Sequence, residues 1–311
     1  MISPDTLVHN NRIPYVYILG LAHSGSTLLS FLLNAHPAIV SVGEVQFIHP
    51  LIPLRWQVKQ DYCSCGQSIY NCSFWNRALA GMAARGFGLD APDFFGQFSH
   101  FQGQSLSSRI RLRFKESLQN KILKPNFVTA QTKLAAFTES VLDVTGKSIL
   151  LDSSKTPAHA QLLQQNPALN VRFLNLYRDA RGVLYSWRKH MPEVSLPILV
   201  LMWHYREEIR KHMLRKLSAD RVLDVKYEDL CTSPKVTLSR IFEFLNVAEN
   251  DVTSGYKSTA EHHILGNSMR RSLDETIRLD EAWRVALSPK ARQFYMLSGL
   301  LHRNKQNGYL S

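Results

Sequence analysis

Short apolar runs alternate with helix-like stretches along much of the chain. Residues 15–19 are β-branched or aromatic, Gly20 ends the run, and a helical pattern follows from Ser26 to Ala35. A run of this kind predicts a strand, and the glycine predicts a tight turn into the helix. The first unit of the chain is therefore strand, turn, helix.

The same order of elements recurs. Strands are predicted at residues 148–152, 171–176 and 221–225, and each is followed by a polar turn and a helical stretch. Strands that alternate with helices indicate parallel βαβ units, so we expect a three-layer α/β fold with a central parallel sheet flanked by helices. Ligands of such folds bind beyond the carboxyl ends of the strands. The turns after the predicted strands are therefore the first places to look for a site.

Two regions interrupt the alternation. We interpret residues 45–147 as a mostly helical insertion, and residues 250–311 as a polar loop and a tail that folds back on the sheet. A chain of 311 residues can form one large domain, and we treat residues 1–311 as one. A helix near residue 210 is predicted to bury a stripe that recurs every four residues: Leu201, Tyr205, Ile209, Met213 and Leu217.

Charge narrows the class of partner. Lys and Arg number 37 and Asp and Glu 25, so the net charge is +12. This balance favours an anionic partner such as a nucleic acid, an acidic membrane surface or a phosphorylated or sulfated metabolite. No run of about 18 apolar residues is present, and the first residues lack a signal-peptide pattern. We therefore expect no transmembrane segment and a cytoplasmic protein.

The turn after the first strand carries the strongest chemical signal. Gly20 to Thr27 nearly matches the Walker A pattern, Gly-x4-Gly-Lys-Ser/Thr, but Ser26 stands in place of the lysine. Backbone N–H groups and a helix N-terminus at such a turn form an anion site. A P-loop nucleotide kinase-like enzyme is a weaker alternative, because it would lack its phosphate-binding lysine. A tight turn with no ligand is the structural alternative.

Residues 23–27, His-Ser-Gly-Ser-Thr, resemble the 5′-phosphosulfate loop of the sulfotransferases that use 3′-phosphoadenosine 5′-phosphosulfate (PAPS). The resemblance implies a P-loop-like fold. It also implies PAPS binding by His23, Ser24, Gly25, Ser26 and Thr27. Most members have Lys or Arg at the position of His23, and an imidazole, with an ordinary pKa of about 6.5, is charged only in some surroundings. His23 is expected to act in catalysis as a hydrogen-bond donor or a conditional cation.

A second segment resembles the family's 3′-phosphate element. Arg178 ends a predicted strand within Arg-Asp-Ala-Arg, and Ser186 follows about two helical turns later. The resemblance implies that both residues hold the 3′-phosphate, and a planar guanidinium suits that group. A surface pair of Arg178 with Asp179 is the structural alternative.

Two charged residues follow other predicted strands. Glu44 comes after the apolar run 38–42, and its likeness to tyrosylprotein-type members implies a catalytic base that takes the acceptor's proton. Lys155 ends an Asp-Ser-Ser-Lys turn that resembles bacterial-type members, which implies neutralisation of the sulfuryl charge. The structural alternatives are a solvated or salt-bridged turn glutamate for Glu44 and a helix-capping turn for the segment that ends at Lys155.

A polar loop late in the chain has a further likeness to the family. Gly266-Asn267-x-x-Arg270 resembles a turn that closes over the nucleotide, which implies cofactor contacts for Asn267 and Arg270. His262 and His263 precede it, but adjacent histidines point apart on a regular backbone, so this pair does not predict a metal site.

The cysteines form an incomplete ligand set. Cys63, Cys65 and Cys72 are spaced like zinc ligands, but a tetrahedral structural site needs four, and Cys231 is too distant in sequence to judge. We interpret the three as thiols or one local disulfide, and we expect no metal.

These motifs favour a bacterial-type PAPS-dependent sulfotransferase. The expected reaction is in-line transfer of a sulfuryl group to an acceptor hydroxyl on a carbohydrate, a glycolipid or a small metabolite. Residues 45–147 would shape the acceptor pocket, and residues 250–311 would close over the cofactor. The non-enzymatic alternative is a protein that binds nucleic acid or another polyanion through the basic stretch at 109–124. The paired motifs argue against a nucleic-acid partner.

Overall fold

The computed structural model describes residues 12–45, 63–68, 71–87, 124–256, 258, 262–264 and 275–309. Of residues 124–127 and 158 it describes the backbone alone. Among the helices of these ranges, none combines the length and the apolar character that a membrane crossing requires.

Five parallel strands form the centre of the described structure. They are β1 (Ile13–Gly20), β2 (Ile39–Ser41), β3 (Ile149–Lys155), β4 (Leu169–Tyr177) and β5 (Val222–Lys226). Their order in the sheet is β2-β3-β1-β4-β5, and every pairing is parallel. Leu19 pairs with Lys155, and Gly20 pairs with Leu176. The carboxyl ends of the three central strands therefore meet at one edge, as the alternating pattern predicts.

Helices cover both faces of the sheet. In chain order they are α1 (Ser26–Asn34), α2 (Ser73–Ala84), α3 (Lys124–Thr145), α4 (Pro157–Gln164), α5 (Ala180–His190), α6 (Leu196–Leu214), α7 (Tyr227–Thr232), α8 (Pro234–Leu245), α9 (Ala282–Ala286), α10 (Pro289–Leu297) and α11 (Leu300–Gln306). This arrangement confirms the predicted three-layer α/β fold. The parts of the predicted insertion that the structure describes include the helices α2 and α3.

The period-two alternation of β1 divides the core into two layers. Tyr15 and Tyr17 point to one face and pack with residues of α2, α3 and α4, including Trp75 and Phe137. Ile18 points to the other face and packs with residues of α1 and α8. Each fully buried side chain of this size stabilises the fold by roughly 1.5–3 kcal/mol, so β1 contributes to both layers at once.

The C-terminal helices build a third apolar cluster beyond the edge of the sheet. Trp187 of α5 and Trp203 of α6 pack there with Tyr295 and Leu300. The side-chain oxygen of Asn304 accepts a hydrogen bond from the first backbone N–H of α5, at 2.9 Å. The chain therefore returns from its C-terminal helices to the carboxyl end of β4.

The predicted stripe on α6 is confirmed at Met213, which is buried, but it is wrong in the first half of the helix. Leu201 and Tyr205 are 54% and 38% exposed, whereas the buried side of the helix includes Trp203, Glu207 and Arg210. Glu207 and Arg210 form a buried ion pair at 2.5 Å. A pattern that counts apolar residues alone misses a core-facing side built partly from charges, and it therefore assigns the wrong side in the first half of this helix.

Candidate functional site

The β1–α1 turn holds a conformation that requires glycine. Gly25 has φ +92°, and a Cβ atom there would lie 2.4 Å from the ring of Tyr227. His23 also lies in the left-handed region, with φ +68°. Ser24 and Ser26 are buried in the turn, which leads directly into the N-terminus of α1. The first N–H groups of a helix have no intrahelical acceptor, so this turn presents donors to an anion.

Arg178 reaches the same turn from the end of β4. Its Nη1 donates to the backbone carbonyl of His23 at 3.1 Å, and its guanidinium lies 4.5 Å from the ring centroid of Tyr227. Its Nη2 donates to the carbonyl and the carboxylate of Asp280, at 2.8 and 3.0 Å. The structural alternative of a surface pair with Asp179 is wrong, because Arg178 is buried and Asp179 binds Arg181 instead.

Helix α5 braces the turn from the other side. The hydroxyl of Ser186 lies 3.0 Å from Nδ1 of His23, and the indole N–H of Trp187 donates to the carbonyl of Ala22 at 3.1 Å. The ring of His190 lies 4.4 Å from the ring of His23. The two predicted phosphate motifs are therefore in direct contact, although more than 150 residues separate them in the sequence.

Burial and neighbouring cations keep His23 neutral. Burial lowers the pKa of its imidazole most, and the charges of His190, Lys155 and Arg178 lower it further, to about 4. A histidine with this pKa carries no charge near pH 7. His23 therefore offers a hydrogen bond at neutral pH, and it does not replace the cationic Lys or Arg of related loops.

Glu44 and Lys155 form an ion pair at the same edge of the sheet. Nζ of Lys155 lies 2.7 Å from Oε1 of Glu44 and 2.7 Å from the carbonyl of Ser153. Both side chains are largely shielded from solvent, because only 13% of the Lys155 side chain and 15% of the Glu44 side chain is exposed. Since a lysine has three N–H donors, these contacts orient the ammonium group and leave one donor for another acceptor.

The predicted turn before Lys155 is strand instead. β3 continues to Lys155, and Asp152 and Ser154 are buried within it. The Asp152 carboxylate accepts hydrogen bonds from Tyr15 at 2.9 Å and Ser154 at 2.5 Å, and lies 2.9 Å from His159. The helix-capping alternative is therefore wrong, and Asp152 anchors the strand from inside the core.

The remaining sequence candidates divide into two groups. Asn267 and Arg270 lie outside the described residues, as do residues 109–123 of the basic stretch. The expectation that the three cysteines lack a fourth ligand-type neighbour is wrong, because His262 lies beside them and the ligand atoms of all four lie within 4.8 Å of one another.

Sequence reasoning missed two residues around Arg178. Asp280 carries no motif, and its contact with Arg178 depends on the path of the C-terminal chain. Tyr227 fills the space that Gly25 leaves, and its hydroxyl accepts from the backbone N–H of Asp280 at 3.2 Å. A glycine in a strand-to-helix turn signals a close neighbour, but nothing in the sequence identifies which residue that is.

The β1–α1 turn, the end of β4 and the helix α5 thus converge at the carboxyl edge of a parallel sheet, where they form a candidate anion site. The sequence profile of the sulfotransferase family matches residues 14–251, and the chain belongs to that family. The name of this family denotes transfer of a sulfuryl group.

The chain is also similar to individual known proteins. The chain is 20% identical over 280 residues to a protein-tyrosine sulfotransferase of Drosophila melanogaster, covering 87% of this chain and 46% of that protein. It therefore spans about half the length of this curated relative. The sulfotransferase domain of the Synechococcus PCC 7002 olefin synthase matches with a TM-score of 0.57, 20% identity and 97% coverage of both chains, and has the same fold. A sulfotransferase from Mycobacterium avium matches with a TM-score of 0.45 and 16% identity over 94% of this chain and 79% of its own.

Proposed function

We propose that this protein transfers a sulfuryl group from PAPS to an acceptor hydroxyl. The contact of Arg178 and Ser186 with His23 carries the proposal. It joins the segment that resembles a 5′-phosphosulfate loop to the segment that resembles a 3′-phosphate element. A donor with phosphate at both positions needs both segments at one site.

The residues fit the two ends of such a donor. Small side chains at 24–27 let an anion approach the backbone N–H groups, and the hydroxyls of Ser26 and Thr27 add donors. Arg178 supplies a planar cation for the 3′-phosphate, and Ser186 supplies a hydroxyl. The net charge of +12 attracts a polyanionic donor. Asn267 and Arg270 remain part of the proposal as residues that close over the nucleotide.

The proposed reaction is a single in-line displacement. The acceptor oxygen bonds to sulfur while the bond from sulfur to the 5′-phosphate oxygen breaks, and that oxygen keeps the electron pair. The acceptor's proton passes to the Glu44 carboxylate, and adenosine 3′,5′-bisphosphate leaves. Lys155, held by Glu44 and Ser153, directs its remaining donor at the charge that develops during transfer. Holding both substrates in line supplies a further part of the rate.

His23 contributes a directed hydrogen bond in this scheme. We assign the ring proton of the neutral imidazole to Nε2, so that Ser186 donates to Nδ1 in the ligand-free protein, and on binding its hydroxyl turns to the 3′-phosphate. Nε2 then donates to an oxygen of the phosphosulfate group. The close packing of α5 fixes the ring for this role.

The test compares the thermal stability of the protein with four nucleotides at equal concentration. We expect adenosine 3′,5′-bisphosphate to raise Tm by several degrees, since a ligand at about 100 times its Kd adds roughly 2.7 kcal/mol. AMP, which lacks the 3′-phosphate, should raise it much less, and ATP and ADP should not exceed AMP. An equal shift with ATP would contradict the proposal.

Two variants with opposite expected effects sharpen this test. Arg178→Ala should weaken bisphosphate binding by roughly 10-fold or more, because a charge-assisted hydrogen bond is lost. Asp280→Asn should tighten binding by about 3–10-fold, because a half-exposed carboxylate no longer shares Arg178 with the phosphate. The exposed Arg215→Ala is the matched control, since Arg215 lies at the end of α6 and pairs with Glu208. Titration calorimetry measures all three, and no loss of affinity in Arg178→Ala would refute the assignment of the 3′-phosphate site.

The acceptor is identified by transfer of a radiolabelled sulfuryl group from PAPS. A panel of carbohydrates, glycolipids and small hydroxylated metabolites tests the proposed acceptors, and a tyrosine-containing peptide forms the comparison arm suggested by the Drosophila relative. Glu44→Gln should abolish transfer while leaving bisphosphate affinity nearly unchanged, because Glu44 acts on the acceptor's proton.

A further inference from the structure

Three cysteines and a histidine meet at the margin of the core, where Cys63 and Cys72 are buried and Cys65 is exposed. Cys63 and Cys65 lie on a turn, Cys72 is the residue before α2, and His262 comes from a segment near the end of the chain. Nδ1 of His262 lies 3.5 Å from Sγ of Cys63 and 3.4 Å from Sγ of Cys72. Sγ of Cys65 lies 3.7 Å from Sγ of Cys72.

These three of the six separations are close to those of a tetrahedron around one small ion, and all six are within 4.8 Å. Zinc binds thiolate at about 2.3 Å and imidazole at about 2.0–2.1 Å, so neighbouring sulfurs in a tetrahedral site lie about 3.8 Å apart, and sulfur and nitrogen about 3.6 Å. The observed separations of 3.4–3.7 Å match both values. None of the four cysteines of the chain, all of which lie in described segments, forms a disulfide.

The backbone conformation around Cys63 and Cys65 brings their side chains together. Gly66 has φ +86°, and its N–H donates to the carbonyl of Cys63 at 2.9 Å. The N–H of Cys63 in turn donates to the carbonyl of Gln67 at 2.9 Å. This tight turn brings Cys63 and Cys65 to the same side although only one residue separates them.

Separate contacts hold the histidine in place. The ring of Phe74 stacks on the ring of His262, with centroids 4.6 Å apart and an interplanar angle of 2°. The backbone N–H of Ser64 donates to the carbonyl of His263 at 3.0 Å, and the N–H of His263 donates to the hydroxyl of Ser64 at 2.8 Å. The two segments are therefore joined in a fixed register on both sides of the ligand atoms, as an ordered metal site requires.

We propose that Cys63, Cys65, Cys72 and His262 bind one structural Zn²⁺ ion. Three thiolates and one imidazole select zinc over harder cations, which prefer oxygen ligands. Four protein ligands fill a tetrahedral site and leave no position for water or substrate, so the ion has a structural role. Binding displaces the thiol protons to solvent, and no electrons are transferred.

The proposed ion would also hold a neighbouring chain segment against the edge of the sheet. Ile264, two residues after His262, donates to the carbonyl of Val42 at 3.0 Å and accepts from the N–H of Glu44 at 3.4 Å. The ion therefore clamps the chain segment that lies against Gly43 and Glu44. It fixes the backbone at Glu44 from a distance, without touching the acceptor.

The first test measures the zinc content of the 311-residue chain. The chain is produced without a histidine tag in zinc-supplemented medium, purified under reducing conditions, and analysed by elemental mass spectrometry. We expect about one zinc per chain. Protein produced with cobalt should show the visible bands of tetrahedral Co²⁺ and a thiolate charge-transfer band. Substoichiometric zinc together with no such cobalt spectrum would overturn the proposal, as would an intact mass two hydrogens lighter, which indicates a disulfide.

Variants distinguish zinc binding at this site from nonspecific zinc binding by any cysteine of the chain. Cys65→Ser and Cys72→Ser should lose most of the zinc, whereas His262→Cys should keep it, because four thiolates also form a tetrahedral site. Cys231→Ser is the matched control and should keep a full equivalent, since Cys231 is a buried cysteine of α7 outside the cluster. Retention of zinc in Cys65→Ser and Cys72→Ser, or its loss in Cys231→Ser, would refute the assigned ligands. If the variants fail to fold, the cobalt spectrum of the unaltered chain alone tests whether a tetrahedral thiolate site is present.

Discussion

His23 shows how its surroundings change the chemistry of a single residue. Its carbonyl accepts from Arg178 and its ring nitrogen meets Ser186, so backbone and side chain are both fixed. Burial, and after it the electrostatic effect of neighbouring basic groups that include Lys155 and Arg178, lowers the pKa of the ring to about 4. The site thus has Arg178 and Lys155 as its cations, and His23 as a neutral partner between them.

This neutral state predicts how stability depends on pH. Between the folded pKa of about 4 and the unfolded value of about 6.5, the unfolded chain binds more protons at His23 than the folded chain. The contribution is therefore fully present above pH 6.5 and is lost as the pH falls toward 4. We expect the unaltered protein to lose roughly 1–2 kcal/mol more unfolding free energy than His23→Gln between pH 7.5 and 5, after allowance for partial solvent screening.

Urea denaturation over a pH series measures this difference. His212→Gln is the control, because His212 is an exposed histidine on the last turn of α6, and its curve should follow that of the unaltered protein. If the stabilities of His23→Gln and the unaltered protein fall in parallel over this range, the imidazole is not held neutral by its surroundings.

At the scale of elements, the edge of the sheet next to β2 depends on one glycine. Gly43 has φ +93°, and a Cβ atom there would lie 2.0 Å from the carbonyl oxygen of Ile264. The backbone of Ile264 pairs with Gly43 as a short parallel bridge, which extends the sheet beyond β2. Glu44 follows directly, so the same glycine positions the proposed base.

Replacement of this glycine should destabilise the protein by two separable effects. Gly43→Ala places a side chain in the left-handed region and against a backbone atom, so we expect a loss of roughly 3–4 kcal/mol. Gly86→Ala is the matched control, because Gly86 has φ +81° with nothing within 4 Å of the added Cβ, and its loss should be about 1 kcal/mol. Chemical denaturation compares the two, and equal losses would mean that Ile264 does not pack against Gly43.

Some features of the structure are set by neighbouring residues in the sequence, and others depend on contacts between distant residues. The strands and the turn at residues 20–27 could be predicted, because short apolar runs and glycine placement are set by neighbouring residues. The full length of β3 could not, since Asp152 and Ser154 are polar residues whose burial depends on Tyr15 and His159. The fourth member of the cysteine cluster was missed for the same reason. His262 lies 190 residues from Cys72, and only the folded chain joins them.

At the scale of the whole molecule, three distant segments surround Arg178. The β1–α1 turn contributes His23, α7 contributes Tyr227, and the C-terminal segment contributes Asp280. The C-terminal segment is also tied to the end of β4, because Tyr309 donates to Glu228 at 2.6 Å and Glu228 accepts from the N–H of Asp179. A ligand at Arg178 would therefore stabilise parts of the chain that are remote in sequence.

Hydrogen exchange tests this coupling directly. Adenosine 3′,5′-bisphosphate should slow amide exchange at short labelling times in three segments, residues 20–27, 178–187 and 275–283, because each must stay closed for the ligand to bind. The helices α2 and α3 pack together through Trp75 and Phe137 on the outer layer and should exchange as before. AMP should protect residues 20–27 but leave residues 178–187 nearly unchanged, since it lacks the phosphate that Arg178 would bind. Protection confined to residues 109–124 would instead favour a polyanion-binding surface. If the bisphosphate protects only one of the three segments, their coupling through Arg178 is contradicted.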